Sequence, residues 1–299
     1  MDKLTEFYDY LTYQKRVSKH TIKAYETDLS QFGVFISSKY GELEIEQVTY
    51  RHMRGWVLAL LDEGVSERSV NRKVATLKTF YRFLKQKEYT ADNPAQKLQS
   101  LKTGKKLPSF IKMEEMDSVL DSSRFESDFN GIRDRMVLEL LYGTGIRQAE
   151  LLSLKCVHVD LQQKVIKVTG KRNKQRLIPC NDTLCEIFSL YLNSRPIVDH
   201  DYLIVTKSGT PAYPMLIYRI VEKHLSYTNN VDKKSPHTLR HTFATHLLNE
   251  GAALNDIKEL MGHANLAATQ VYTQQSLERL KKVFIQAHPK SGENEVDKN

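Results

Sequence analysis

Cysteine is scarce in this 299-residue chain: only Cys156, Cys180 and Cys185 are present, an odd number with no C-x-x-C pair among them. That argues against a disulfide framework or a thiolate zinc site, and it fits a reducing compartment. Also missing is any run of about 18 apolar residues of the kind a membrane span requires. The opening residues Met1 to Tyr13 mix Asp, Glu, Lys and aromatic side chains, with no apolar signal core. The expectation is a cytoplasmic protein with no membrane partner. Internal repeats and low-complexity tracts are absent as well, and the only stretch that reads as unstructured is the charged tail at residues 289–299.

What is present points toward a polyanion. Lys and Arg number 44 against 36 Asp and Glu, a formal net charge of +8, which favours nucleic acid without requiring it, because the excess is moderate. With 40% hydrophobic residues the chain can bury a core in each of two domains. Apolar residues recur at helical spacing: Leu4, Phe7, Tyr8 and Leu11, then Ile22, Tyr25, Leu29 and Phe32, then Val74, Leu77, Phe80, Tyr81 and Leu84. This predicts a bundle of about four helices, with Ser18 and the stretch Ser66 to Ser69 as N-caps. Asp92-Asn93-Pro94 stops it, and Leu101 to Pro108 is polar, basic and punctuated by Gly and Pro. Residues 1–100 are thus expected to form one domain, 101–108 a linker and 109–288 a second domain.

The second domain shows helical patterning over Met116 to Leu120 and Ile132 to Tyr142, then changes period. Lys164 to Thr169 alternates as a strand, Gly170 to Gln175 is a polar turn and Arg176 to Pro179 returns, which makes a β-hairpin, with Tyr202 to Val205 as a third strand. Helices resume over Met215 to Leu225, His237 to Leu248, Asn255 to Met261 and Ser276 to Ala287. The expected fold class is mainly α with a small β-sheet.

Four segments place polar groups in apolar surroundings, where a cation is expensive unless paired. In Tyr142-Gly143-Thr144-Gly145-Ile146-Arg147-Gln148-Ala149-Glu150-Leu151-Leu152 two glycines turn the chain and Arg147 opens a helix. A guanidinium fork beside backbone N–H groups suits an anion there, and a surface pair of Arg147 with Glu150 is the competing reading. Thr169 to Arg176 carries four cations at a hairpin tip, Lys171, Arg172, Lys174 and Arg176. Such a tip can enter a DNA groove or deliver a proton, or it is a solvated turn. In Ser235 to Leu248, His237, Arg240 and His241 share one helix face. Zinc is disfavoured there, since no Glu follows His237 and Arg240 repels a cation, so no metal is expected. In Leu260 to Thr273 a helix ends at Gly262, His263 follows, and Tyr272 comes nine residues later. Spacing alone does not distinguish that tyrosine from a core residue.

Taken together, T-G-I-R-x-x-E-L, a lysine hairpin, H-x-L-R-H-T-F-A-T-H, and G-H followed by Q-V-Y-T resemble the tyrosine recombinase, or phage integrase, family in order and spacing. The resemblance covers nearly the whole chain and is closest to the Xer recombinases. It implies a helical, SAM-like N-terminal core-binding domain that clamps DNA and a catalytic domain like those of tyrosine recombinases and type IB topoisomerases. It also implies catalytic roles for Arg147, Lys171, His237, Arg240, His263 and Tyr272, with Tyr272 as the nucleophile that forms a 3′-phosphotyrosyl link. Arg172 stands where many relatives have glycine, which leaves Lys174 as a second candidate for the general acid. No cofactor is implied. The implied partners are double-stranded DNA, related subunits in a homo- or hetero-tetramer, and a DNA translocase that activates such enzymes.

Phosphate contacts are expected from Arg68, Arg72, Lys73, Lys78 and Arg82 on one helical segment, from Lys15, Arg16, Lys19, His20 and Lys23 on another, and from Arg172 and Lys174 at the hairpin tip. Each helical set reads equally as a solvated face. The amphipathic segment Leu277 to Ile285 either caps its own domain or, as the resemblance implies, packs into a neighbouring subunit. Rival functions are chromosome dimer resolution against mobile-element integration or excision, a silent DNA-binding protein of the same fold, a type IB topoisomerase, and a metal-dependent nuclease.

Overall fold

A computed structural model describes residues 2–104, 109–170, 174–229, 231–262 and 274–287, with the side chains of 274–277 left aside. Contacts divide the chain into two units, Met1–Lys106 and Leu107–Asn299.

The first unit is built from α1 (Lys3–Asp9), α2 (Lys19–Tyr40), α3 (Tyr50–Asp62) and α4 (Glu67–Gln86), with one π-helical turn at Tyr10–Gln14. Ser18 starts α2 as expected: its hydroxyl accepts the Thr21 N–H at 3.2 Å. Ser66 occupies the cap position of α4, but its hydroxyl donates to Ser69 Oγ at 3.0 Å and makes no bond to the backbone. The apolar stripes meet in a core of Phe7, Phe32, Trp56, Leu77, Phe80 and Phe83, where Phe7 and Phe80 pack edge to face with ring centroids 5.1 Å apart. Beyond α4, Asn93 caps a short 3-10 turn at Pro94–Lys97. Leu101, the first residue of the expected linker, is still held to this unit: its N–H donates to Asn71 Oδ1 at 2.8 Å and its carbonyl accepts from Asn71 Nδ2 at 3.0 Å.

The second unit contains α5 (Met113–Leu120), α6 (Phe129–Thr144), α7 (Gln148–Ser153), β1 (Val159–Asp160), β2 (Val165–Thr169), β3 (Gln175–Pro179), α8 (Asp182–Ser194), α9 (Pro214–Leu225), α10 (Pro236–Asn249), α11 (Leu254–Met261) and α12 (Gln274–Ala287). Helix α6 is buried along almost its whole length, with α5, α7, α8, α9 and α10 packed against it, while the sheet packs against α7, α11 and α12. The sheet is antiparallel in the order β1-β2-β3. Its hairpin pairs Val168 with Arg176 and Ile166 with Ile178, which turns Arg176 inward with the buried residues.

The third strand differs from expectation. It is Val159–Asp160, and Tyr202 and Val205 form only isolated bridges, to Lys155 and Pro211. The run Leu203 to Val205 is apolar because it is core. Its backbone is satisfied elsewhere: the Tyr191 hydroxyl donates to the Leu203 carbonyl at 3.0 Å and accepts the Val205 N–H at 3.1 Å, while Ala212 N–H donates to the Ile204 carbonyl.

Candidate active site

The site begins where α6 stops. Gly145 closes that helix at φ +59°, and a Cβ there would lie 2.3 Å from the Phe243 ring of α10, so both the backbone angle and the close approach require glycine. The approach brings Arg240, one turn earlier on α10, against the Gly145 carbonyl. Arg240 is only 4% exposed; Nη1 donates to Gly145 O and Nη2 to Met261 O at 2.6 Å. Burial, then the neighbouring charge of Arg147, lowers its pKa to about 10, so the guanidinium remains protonated at neutral pH.

Two residues past Gly145, Arg147 caps α7. Its own N–H donates to Glu150 Oε2 at 2.8 Å and its Nη1 to Glu150 Oε1 at 2.8 Å. The Arg147–Glu150 pair expected from spacing is therefore present, but it is not a surface pair: Glu150 is 4% exposed and the Arg147 side chain 35%. Arg147 Nη2 also reaches the Gly262 carbonyl at 3.3 Å. Glu150 carries a second fork, since Arg176 of β3 donates Nη1 to Oε1 and Nη2 to Oε2, each at 2.9 Å. Burial would raise the Glu150 carboxyl; the bonds and charge of Arg176, and then the bonds from Arg147, outweigh it and hold the pKa at about 2.

These three arginines converge on one helix end. Arg176 Nε donates to Leu260 O at 2.9 Å, Arg240 to Met261 O and Arg147 to Gly262 O. The last carbonyls of a helix lack intrahelical partners and carry partial negative charge, so cations belong there. Three guanidinium groups against one carboxylate leave the cluster net positive, with Arg147 as its outer member. Such a cluster is suited to charge on a phosphate.

The structure thus brings Arg147 and Arg240 together. His237 is exposed on the first turn of α10, just after Pro236, and His241 is half-buried on the next turn. Lys174 is exposed and its carbonyl accepts the Gly170 N–H at 2.7 Å. Lys171, Arg172, His263 and Tyr272 lie outside the described residues. Among the described residues no three His, Cys, Asp or Glu side chains gather where they could hold a metal ion. Sequence reasoning missed Arg176 as an organising residue and the depth of Glu150. The strand period was the available signal, because Arg176 shares the inward face with Ile178.

Of the expected phosphate contacts, Lys19, Lys23, Arg68 and Arg72 are exposed, as are Lys15, Arg16, His20 and Arg82, and Lys78 is half-buried. Lys23 pairs with Glu26 at 3.3 Å. Lys73 is not on the face it was expected to share: it is 7% exposed, with Nζ bonded to Asp28 Oδ1 at 3.0 Å and to Gln31. Arg72 reaches the same Asp28 at 2.5 Å, and its side chain stays half-exposed. Among the described residues no helix is long and apolar enough to cross a membrane.

Residues 109–279 match the phage integrase family, and residues 4–88 match its N-terminal SAM-like domain. A tyrosine recombinase XerC of Staphylococcus carnosus (strain TM300) is 38% identical over 97% of this chain and 99% of its own length. Among solved structures, the Tn1549 transposon integrase in complex with a circular intermediate DNA superposes with TM-score 0.72 at 21% identity, over 93% of this chain and 99% of that one. The XerH site-specific recombinase bound to palindromic difH substrate superposes with TM-score 0.72 at 21% identity, over 93% of this chain and 82% of that one; at such identities both establish the fold. Helical first unit, inward-facing arginines and full-length similarity agree, and the chain belongs to the phage integrase family as an Xer-like tyrosine recombinase, an enzyme that cuts and rejoins DNA.

Proposed function

We propose that the chain recombines specific DNA sites through attack of the Tyr272 hydroxyl on a scissile phosphate held by Arg147 and Arg240. The observation that carries this reading is the joining of those two guanidinium groups, one buried and one about a third exposed, at the end of α11. Negative charge grows on the non-bridging oxygens as the phosphorus becomes five-coordinate, and preorganised cations stabilise it without reorganising at the moment of reaction. His263, immediately after α11, adds a hydrogen bond.

A free tyrosine has a pKa of roughly 10, so only about one in a thousand is phenolate near neutrality. His237 takes its proton. Lys171, with Lys174 as the alternative, gives a proton to the departing 5′ oxygen, which is otherwise a basic alkoxide. The new bond joins the tyrosine oxygen to the 3′ phosphate and the P–O5′ bond breaks. A 5′ hydroxyl from a second duplex reverses the exchange, releasing tyrosine with no ATP and no metal. Two such rounds pass through a Holliday junction.

The reading extends to four subunits on two sites, as a homotetramer or with a related recombinase, acting on the chromosome in the cytoplasm to resolve dimers under the control of a DNA translocase. The family membership and the XerC relatives support that assignment over a silent binding protein. A nicked suicide duplex carrying candidate sites, incubated in EDTA and run on a denaturing gel, tests the chemistry. A covalent protein–DNA adduct is expected from the wild type and none from Tyr272→Phe; equal yield in the variant would falsify the nucleophile.

A further inference from the structure

Gly170 and Gly262 directly precede Lys171 and His263, and both lean on one buried ion pair. A Cβ on Gly170 would lie 3.2 Å from Glu150 Oε1 and 3.7 Å from Arg176 Nη1, and a Cβ on Gly262 would lie 3.0 Å from Arg176 Nη1. Arg176 itself is 5% exposed and binds three ways: both Glu150 oxygens and the Leu260 carbonyl, at 2.9 Å each. Through Glu150 it also fixes the backbone and the guanidinium of Arg147. The root of the hairpin, the start of α7 and the end of α11 therefore meet at a single guanidinium.

We infer that Arg176 is a positioning residue for strand cleavage: it sets the hairpin root, Arg147 and the α11 terminus relative to one another, without touching DNA. The inference rests on the function proposed above. Stability alone does not call for a charged fork opposite Val168, since a well-packed apolar side chain of similar volume is often as good or better inside a protein. What an apolar contact lacks is direction. Three hydrogen bonds from a residue of β3 to α7 and α11 hold distances and angles at once, and misplacement of reacting groups by about 1 Å costs on the order of 100-fold in rate. Lysine keeps the charge at this position but has no planar fork, so it cannot reach both carboxylate oxygens and the Leu260 carbonyl together.

The test uses the full-length chain at saturating protein on the nicked suicide duplex, with a normal 5′ leaving oxygen and with sulfur in its place. DNA affinity and melting are measured alongside. For Arg176→Lys the expected result is a folded protein with unchanged affinity, a single-turnover rate reduced by about 10-fold or more, and partial recovery on the sulfur substrate, whose thiolate leaves without a proton from the hairpin lysine. Cleavage at the wild-type rate, a loss accounted for wholly by weaker DNA binding, or no recovery with sulfur overturns the inference. If Arg176→Lys does not fold, Gly170→Ala decides, because it keeps every charge and presses only on Glu150; a slowed, sulfur-rescued reaction supports the proposal and a wild-type rate overturns it. The wild-type adduct separates the two levels. Its absence refutes the proposed function and this inference together, whereas its presence with undiminished variants refutes the inference alone.

Discussion

In each unit a buried carboxylate gathers cations, Asp28 in the first and Glu150 in the second, and the two clusters are built to different ends. In the first unit Asp28, 1% exposed, takes Arg72, Lys73 and Thr76. Lys73 is enclosed, beside Gln31 and over the Trp56 ring at 5.8 Å, and only Arg72 projects from the cluster. All these groups lie on α2, α3 and α4, so the cluster fastens helices and presents a single cation. In the second unit Glu150 takes Arg147 and Arg176, and Arg240 stands beside them. Their remaining bonds go to the end of α11 and the turn at Gly145, the roots of the segments that carry the site. One buried ion pair makes a fastener; the other collects like charges at a point where only an anion relieves them.

That contrast can be broken by variants, beginning with the largest effect. Asp28→Ala leaves Lys73 buried without its counter-charge and is expected to destabilise the protein by about 3–5 kcal/mol, read by urea unfolding, while the cleavage step of the folded, DNA-bound fraction stays at the wild-type rate. Slower cleavage in that fraction would show that the first cluster also shapes the chemistry. Conversely, Arg147→Ala and Arg240→Ala should each slow single-turnover cleavage by about 100-fold or more, through lost transition-state stabilisation, with site affinity little altered. Normal rates in both would remove the distinction between the clusters.

A smaller effect is expected from pH. The Glu150 pKa falls from 4.5 to about 2 on folding, so the unfolded chain binds the proton more tightly. Its contribution is fully present above about pH 4.5 and is lost as pH falls toward 2. Acid titration of Glu150→Gln should therefore show a shallower loss of stability through that window than the wild type; parallel curves would mean that the carboxylate is not held as described. Smallest is the exposed Arg68, where alanine should reduce the slope of log affinity against log salt by about one and leave stability within about 0.5 kcal/mol.

Much of this was legible in the sequence, and the exceptions have physical reasons. Helices with a single apolar stripe, such as α2 and α4, follow from spacing. Helix α8 is absent from the sequence expectation, although Asn181 caps it and Leu184, Ile187, Phe188 and Tyr191 step at helical intervals. The third strand was misplaced since an apolar run at Leu203 to Val205 looks the same in a core loop as in a sheet. The basic neighbours of Lys73 predict an exposed side chain, yet it lies three residues after Val70 and four before Leu77, on the buried stripe of α4. Arg147 and Arg240 were found by family pattern, whereas their organiser Arg176 was hidden in a cation-rich hairpin where charge suggested solvent.

The central claim is that two guanidinium groups serve one phosphate. It is tested most directly by a double-mutant cycle on the suicide duplex with Arg147→Ala, Arg240→Ala and the double variant, each checked for folding and DNA affinity. Groups stabilising the same developing charge are coupled, so the double variant should lose less than the product of the two single losses. Losses that simply multiply would place the two arginines on separate tasks and contradict the account.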